Sequence, residues 1–362
     1  MRIMSRMPQS KNLSTFFALL AAVLFGISAP LAKLLLGEIQ PVMLAAFLYL
    51  GSGLGLSLAG GVLRKFRGPG AGEARLARGD LVWMAGATLA GGVIGPVILM
   101  LGLRGTPAAT ASLLLNFESV ATTVIAAFFF KEMVSGRAWF AIILITGAGI
   151  LLSISPDAAW GFSLGAAGIL AASLMWGLDN NLTRNISAKD PVAIVTIKGL
   201  AAGSFSLLLA LSVGESLPDW EAVLKACLLG SVSYGLSIIL YVRALRGLGA
   251  ARTSGLYSTA PLSGLVLSIL LFRESPNWLL FLALPLMSAG TYLLVNERHD
   301  HLHAHPAWLH DHAHHHMDGH HDHPHAGEVN PDQIHAHMHE HQEIDHQHHH
   351  MPDTHHRHVH ES

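Results

Sequence analysis

The sequence predicts an all-α polytopic membrane protein: ten transmembrane helices arranged as two inverted five-helix repeats, followed by a disordered histidine-rich tail. Three observations predict it. Only 13% of the 362 residues are charged, against roughly 25% in an ordinary soluble domain. Several apolar stretches of about 20 residues are each long enough to cross a hydrocarbon core of roughly 30 Å. All 25 histidines lie at or beyond His299, so residues 1–298 and 299–362 are different materials, and the two halves of the first material resemble each other.

The spans follow in order along the chain. The first, 13–35, carries Phe25-Gly26, Pro30 and Lys33. Its approach through Arg2, Arg6 and Lys11 imitates a secretory signal, but the apolar run is longer than a signal core and the segment has a later copy, so a retained span is expected. The second, 41–63, contains Gly51/Gly55. The longest connection, 64–80, holds Arg64, Lys65, Arg67, Arg75 and Arg78. The third span, 81–101, contains Gly91/Gly95 and Pro96. The fourth, 107–130, holds Asn116-Phe117-Glu118 and runs into Lys131-Glu132. The fifth, 137–155, starts at Arg137. The sixth, 162–184, holds Trp176-Gly177 and Asp179-Asn180-Asn181 and ends at Arg184. Lys198 and Gly199/Gly203 fall in the seventh, 192–213. Tyr234 and Tyr241 fall in the eighth, 222–243. The ninth, 250–272, holds Tyr257 and Pro261, and the tenth, 277–296, holds Pro285. Small residues four apart, including Gly161/Gly165, are expected to pack helices, because in lipid contact comes from close backbone approach.

Charge sets the orientation. Residues 1–298 hold 21 Lys+Arg and 13 Asp+Glu, whereas the tail holds Arg357 and 11 acids. The basic residues sit in short loops, which argues for membrane orientation rather than nucleic-acid binding. With the N-terminus inside, the inner loops receive 64–80, Lys131, Arg137, Arg184, Lys189, Arg243, Arg246 and Arg252. The outer side receives only Lys33, Arg104, Lys225 and Arg273. Both termini are therefore expected in the cytoplasm, with the chain in a bacterial inner membrane. Cys227 stands alone, which excludes an intrachain disulfide and a thiolate metal cluster. No Walker A loop is present, so no ATP-driven pump and no enzyme is indicated.

The internal repeat has two registers. Phe25-Gly26 and Lys33 match Trp176-Gly177 and Arg184 at an offset of 151. Leu103-Arg104-Gly105, Ala108-Ala109 and Ser112 match Leu245-Arg246-Gly247, Ala250-Ala251 and Ser254 at an offset of 142, a register that ends with Phe130-Lys131-Glu132 against Phe272-Arg273-Glu274. Five helices per repeat is an odd number, so the second copy enters the membrane from the opposite face, as in secondary transporters. The expected organisation is a cytoplasmic N-terminus over 1–12, repeats over 13–155 and 162–296, and the tail over 299–362. These motifs, an aromatic-Gly in each first helix and a Phe-basic-Glu near each fourth, resemble the EamA-type transporters of the drug/metabolite transporter superfamily. The resemblance covers about residues 13–296. It implies passage of small metabolites without ATP hydrolysis, through a cavity between the repeats. The chain departs from the family pattern at Ser119, where a Pro is usual in the fourth helix, and at Glu118, where most members are apolar; Pro261 is kept.

Charged groups inside a membrane cost about 2.5–3.5 kcal/mol at the centre of a helix and face a cavity or a partner. Glu118 lies in the middle of the fourth span with Asn116 beside it, and its repeat equivalent is Ala260. It reads either as a substrate or proton site or as a structural hydrogen-bonding group. Asp179 and Asn180 approach the cytoplasmic end of the sixth span, and Lys198 is about two turns into the seventh. Asp179 has two candidate partners, Lys198 and Arg184, in the cavity wall. Tyr257 precedes Pro261, the best candidate for a kink at the site. The candidate substrate or coupling-ion residues are therefore Glu118, Asn116, Asp179, Asn180, Lys198 and Tyr257.

The tail reads as a metal-binding segment. His-x-His units occur at His299, His301, His303 and His305, at His310, His312 and His314, and at His335, His337, His339 and His341; triplets occur at His314, His315 and His316 and at His348, His349 and His350. Imidazole at this density suits Ni2+, Zn2+, Co2+ or Cu2+ in exchanging arrangements. Few apolar residues accompany it, so disorder is expected. No cofactor is required. Three functions stay open at this point: a secondary transporter of small metabolites with a metal-binding tail, a transporter of a transition metal or its chelate, and a non-transporting metal sensor or buffer. The expected partners are a small-molecule substrate, the bilayer, transition metals and a second copy of the chain, with no nucleic acid.

Overall fold

In the computed structural model the described residues are 11–66, 75–129, 134–154, 163–186, 189–248, 256–257, 259–273 and 278–295, with four strand segments in the tail. Each expected interval of the body contains helix. The first holds α1 (Lys11–Gly26) and α2 (Ser28–Leu35), and the second holds α3 (Pro41–Phe66). The third is α4 (Leu81–Ala87), a π-helical turn (Thr88–Ile94) and α5 (Gly95–Arg104). The fourth is broken into α6 (Ala108–Leu114) and α7 (Phe117–Phe129). Then come α8 (Gly136–Ser153), α9 (Leu164–Arg184) and α10 (Pro191–Ser212). The eighth interval is α11 (Trp220–Leu229), a second π-helical turn (Gly230–Leu236) and α12 (Ser237–Leu248), followed by α13 (Ala260–Phe272) and α14 (Trp278–Val295).

Among the described residues six helical segments are long and apolar enough to cross a membrane: Asn12–Leu35, Pro41–Leu58, Arg78–Arg104, Ala108–Phe129, Pro191–Ser212 and Trp220–Tyr241. Gly136–Leu152, Ala260–Phe272 and Trp278–Leu293 are shorter apolar helices. With 21 residues α9 has the length, but Asp179, Asn180, Asn181 and Arg184 make its last turns polar. The outer surface is apolar: Val82, Phe129, Leu164, Leu208, Trp220 and Trp278 are all exposed. Water would penalise so much uncovered apolar surface, whereas lipid does not. The protein is an integral membrane protein.

The helices pack in equivalent pairs. α1 lies against α12, and its counterpart α9 lies against α5. α1 also contacts α13, as α9 contacts α7. α3 meets the second π-helical turn, and α10 meets the first. The remaining large contacts join counterparts to each other, α3 to α10 and α8 to α14. The two π-helical turns begin at Thr88 and Gly230, the same 142-residue offset as the sequence register. The aromatic-Gly motifs explain part of the pairing. A Cβ on Gly26 would lie 2.0 Å from the Ala260 carbonyl oxygen, and one on Gly177 would lie 2.8 Å from the Thr122 nitrogen. Each glycine thus lets the first helix of one half touch the fourth-span helix of the other half at backbone distance.

Only four segments of the tail are among the described residues, and these are strands. β1 (Leu302–His305) pairs antiparallel with β4 (Ile344–Gln347), and β2 (Trp308–His314) with β3 (His335–His341). The His-x-His alternation has the two-residue period of a strand, and ladder hydrogen bonds satisfy the backbone without an apolar core. The register sets His310 opposite His339, His312 opposite His337 and His314 opposite His335. His303 and His305 lie in β1 and His341 in β3. His299, His301, His315, His316, His348, His349 and His350 lie outside the described residues.

Candidate functional site

The site is built around the first π-helical turn. A proline has no N–H. In π spacing the Gly95 N–H bonds to the Ala90 carbonyl, so the next donor in the series would be residue 96, which is Pro96. The Gly91 carbonyl, left without that donor, accepts instead from the Tyr49 hydroxyl at 2.6 Å and from the Trp176 indole Nε1 at 2.9 Å. Three elements, α3, the π-helical turn and α9, are joined at one oxygen. Gly91 also has to be glycine: a Cβ there would lie 2.0 Å from the Asp179 Oδ2.

Buried Asp179 forms an ion pair with the half-buried Lys198 of α10, and its other oxygen accepts from the Thr183 hydroxyl at 2.9 Å. Of the two partners the sequence allowed, Lys198 pairs with Asp179. One residue further along α9, the Asn180 amide donates to the Glu118 Oε1 at 2.8 Å and to the Thr122 hydroxyl oxygen at 3.1 Å. Asn181 donates to the Thr122 carbonyl at 3.0 Å. α9 and α7 are therefore clamped by side-chain amides across the boundary between the halves.

Glu118 occupies the first turn of α7 because the fourth span breaks at Leu115-Asn116. Ser119 stands where the other half has Pro261, and its hydroxyl donates to the Asn116 carbonyl at 2.8 Å. The break thus has a side-chain donor in one half and a proline at the start of α13 in the other. Glu118 is half-buried and Asn180 exposed, so this pair is open to a solute. Ion pairs include Lys198–Asp179 and Lys225 with Glu38 and Glu221; the neutral amide of Asn180 donates to the Glu118 carboxylate.

Aromatic rings adjoin the polar groups. Phe25 lies 5.6 Å from Tyr257, 6.0 Å from Tyr234 and 6.4 Å from Trp176, ring centre to ring centre. Tyr234 continues to Tyr49 at 5.8 Å, and Tyr257 to Tyr241 at 4.8 Å. Trp176 lies one turn before Asn180 on α9, and Asn180 holds the Glu118 carboxylate, so the ring cluster and the carboxylate share that helix.

Of the six residues named from the sequence, the structure brings Glu118, Asn180, Asp179 and Lys198 together. Tyr257 joins through the rings. Asn116 points elsewhere, donating to the Thr291 hydroxyl of α14 at 2.6 Å. Sequence reasoning missed Tyr49, Gly91 and Thr122. Pro96 beside the Gly91/Gly95 pair was the available signal for Gly91; nothing local marked Tyr49 or Thr122. Among the described residues no group of three His, Cys, Asp or Glu is placed to hold a metal ion.

Compared with known proteins, the chain matches the EamA-like transporter family over residues 12–154 and again over 163–296. It is 29% identical over 287 residues to an uncharacterized transporter of Methanothermobacter thermautotrophicus, covering 76% of this chain and 83% of that protein. It is 26% identical over 243 residues to an uncharacterized transporter of Synechocystis, covering 60% of this chain and 72% of that protein. A crystal structure with 21% identity has the same fold, with a TM-score of 0.56 over 77% of this chain and 94% of that one.

Proposed function

Because the chain belongs to the EamA-like transporter family, and is a membrane transporter rather than an enzyme, we propose that it moves small organic metabolites by secondary-active alternating access between two inverted repeats. The observation that carries this reading is the composition of the site. Glu118, Tyr49 and Gly91 come from the first matched segment, and Asn180, Asp179, Lys198 and Trp176 come from the second. A site shared between halves opens and closes when one half rocks against the other. The equivalent helix pairs and the two π-helical turns support a pseudo-two-fold relation, and the odd number of expected spans per half supports its inversion. Glu118 serves as the group that takes up and releases a proton or cation during the cycle. The tail binds Ni2+, Zn2+, Co2+ or Cu2+ on the cytoplasmic face of the inner membrane and is separate from the transport path. A bare transition metal as cargo is disfavoured, because among the described residues of the body no group of three His, Cys, Asp or Glu is placed to hold it.

The test is flux in proteoliposomes, with metals, chelates, amino acids and organic ions as candidate solutes. The expected result is gradient-driven flux of an organic solute by both the full chain and a 1–298 truncation. Equilibrium dialysis should show the truncation losing most Ni2+ or Zn2+ binding. No flux of any solute by well-inserted protein, or metal binding undiminished by truncation, would overturn the corresponding half of the proposal.

A further inference from the structure

We infer that the β2–β3 ribbon of the tail is a metal site in which one borderline divalent cation, of the Ni2+, Zn2+, Co2+ or Cu2+ class, is held across the strands by two neighbouring pairs of histidines. This rests on the reading of the tail as metal-binding and assigns that binding to a place. The observation that carries it is the register. His310 lies opposite His339, His312 opposite His337 and His314 opposite His335. Directly opposed residues share a face of a sheet, and so do residues two apart along a strand. These six histidines therefore share one face of the ribbon. The residues between them, Asp311 opposite Met338 and Ala313 opposite Ala336, take the other face.

Alternation in the sequence does not produce this by itself. Each strand has a histidine face whatever its partner, but a slip of one residue in the pairing would put the two sets on opposite faces. The second ribbon follows the same rule. His303 lies opposite His346, and His305 shares their face two residues along.

Two neighbouring rungs set four histidines at the corners of a rectangle roughly 5 Å across the strands and roughly 7 Å along them. Metal–imidazole bonds are about 2 Å long. The backbone supplies the placement, and an ion above two rungs draws ligands from both strands. His312/His337 is the middle rung and belongs to either choice of neighbours. Neutral imidazole offers a lone pair to a borderline ion. Ca2+ and Mg2+ prefer oxygen ligands, and Cys227 is the only thiol in the chain. An anion would need protonated rungs, and like charges directly opposite each other destabilise a ladder. An ion held across the rungs also ties β2 to β3, so occupancy stabilises their pairing.

The experiment is titration of detergent-solubilised full-length protein with Ni2+ against a chromophoric chelator. The decisive variant keeps all 25 histidines. His312→Ala combined with Ala313→His moves one imidazole to the other face of the ribbon. The expected result is one tight Ni2+ site in the unaltered chain above a background of weaker ones. The exchange should weaken the tight site about tenfold or more, at least the cost of losing an outer partner of a metal ligand. His337→Ala combined with Ala336→His should do the same. His360→Glu combined with Glu361→His, outside the ribbon, should change nothing. Ni2+ should also protect the tail of the unaltered chain from limited proteolysis, and that of the exchanged chains less. Equal affinity and stoichiometry in the unaltered and exchanged chains would overturn the inference, because a loose run of histidines is indifferent to which neighbour carries the imidazole. The reading of the tail fails separately. Ni2+ binding that survives truncation to 1–298 removes that reading. Binding that is lost on truncation but unmoved by the exchanges removes only this inference, and no Ni2+ binding by the full chain removes both.

Discussion

At Gly177 a Cβ would sit 2.7 Å from the Ala121 Cβ and 2.8 Å from the Thr122 nitrogen, closer than side chains approach one another. Gly177→Val should force α9 away from α7 and break the Asn180 and Asn181 bonds to Thr122 and Glu118. The expected cost is about 1–3 kcal/mol, read as a lower thermal midpoint in detergent. Ala121→Gly should not rescue it, because the Thr122 nitrogen and the Ala121 carbonyl carbon, at 2.9 Å, are backbone. Full rescue would mean that the side chain alone sets the spacing. Glu118 yields a functional prediction at the same scale. Glu118→Gln keeps the shape and an oxygen for the Asn180 donor, and removes the proton and the charge. Inserted normally, it should lose the pH dependence of flux and about tenfold or more of the rate. Glu221→Gln, an exposed change on α11, serves as the control. A wild-type pH profile in Glu118→Gln would leave this residue a structural acceptor only.

The π-helical turns and the broken fourth span are the elements that make the site. π-bulges recur at functional sites because they displace backbone groups from the regular ladder. Here the displaced group is the Gly91 carbonyl, and Pro96 is its cause. Tyr49→Phe should cost about 0.5–1.5 kcal/mol, the value of one hydrogen bond. In a Pro96→Ala background the restored N–H offers Gly91 another donor, so the same change should cost less. A double-mutant cycle on thermal unfolding measures the difference; additive costs would separate Pro96 from the Gly91 contacts.

For the whole molecule, the pairing of helices is the same from either half: α1 with α12 and α13, α9 with α5 and α7. Inversion adds a prediction about sides. Reporter fusions after Gly105 and after Gly247, equivalent points 142 residues apart, should report opposite faces of the membrane. Identical faces would remove the inverted relation, and with it the rocking of one half against the other. The expected outer position of Gly105 and inner position of Gly247 follow from the basic loops.

Much of the site was legible because charge in an apolar helix is conspicuous. Glu118, Asp179, Asn180 and Lys198 stood out against their neighbours, and any polar group in lipid must find a partner or a cavity. The aromatic-Gly pair and the 142-residue register marked the repeat for the same kind of reason: periodicity and composition are local properties. Tyr49 and Thr122 were not legible, since a tyrosine or threonine in a spanning helix looks the same whether it packs, bonds or binds. The direction of Asn116 was not legible either. Its position beside Glu118 in the chain did not fix its direction, and the break at Leu115-Asn116 turned its amide to Thr291. The tail's strands came from pairing between segments more than twenty residues apart, which a count of apolar residues does not register. Hydrophobicity and charge belong to each residue, so the membrane setting, the intervals that become helix and the charges within them could be read from the chain alone. Which charge takes which partner depends on where the helices meet in space, and no local property of the chain carries that. Their meeting is set by glycines too small to announce what they touch.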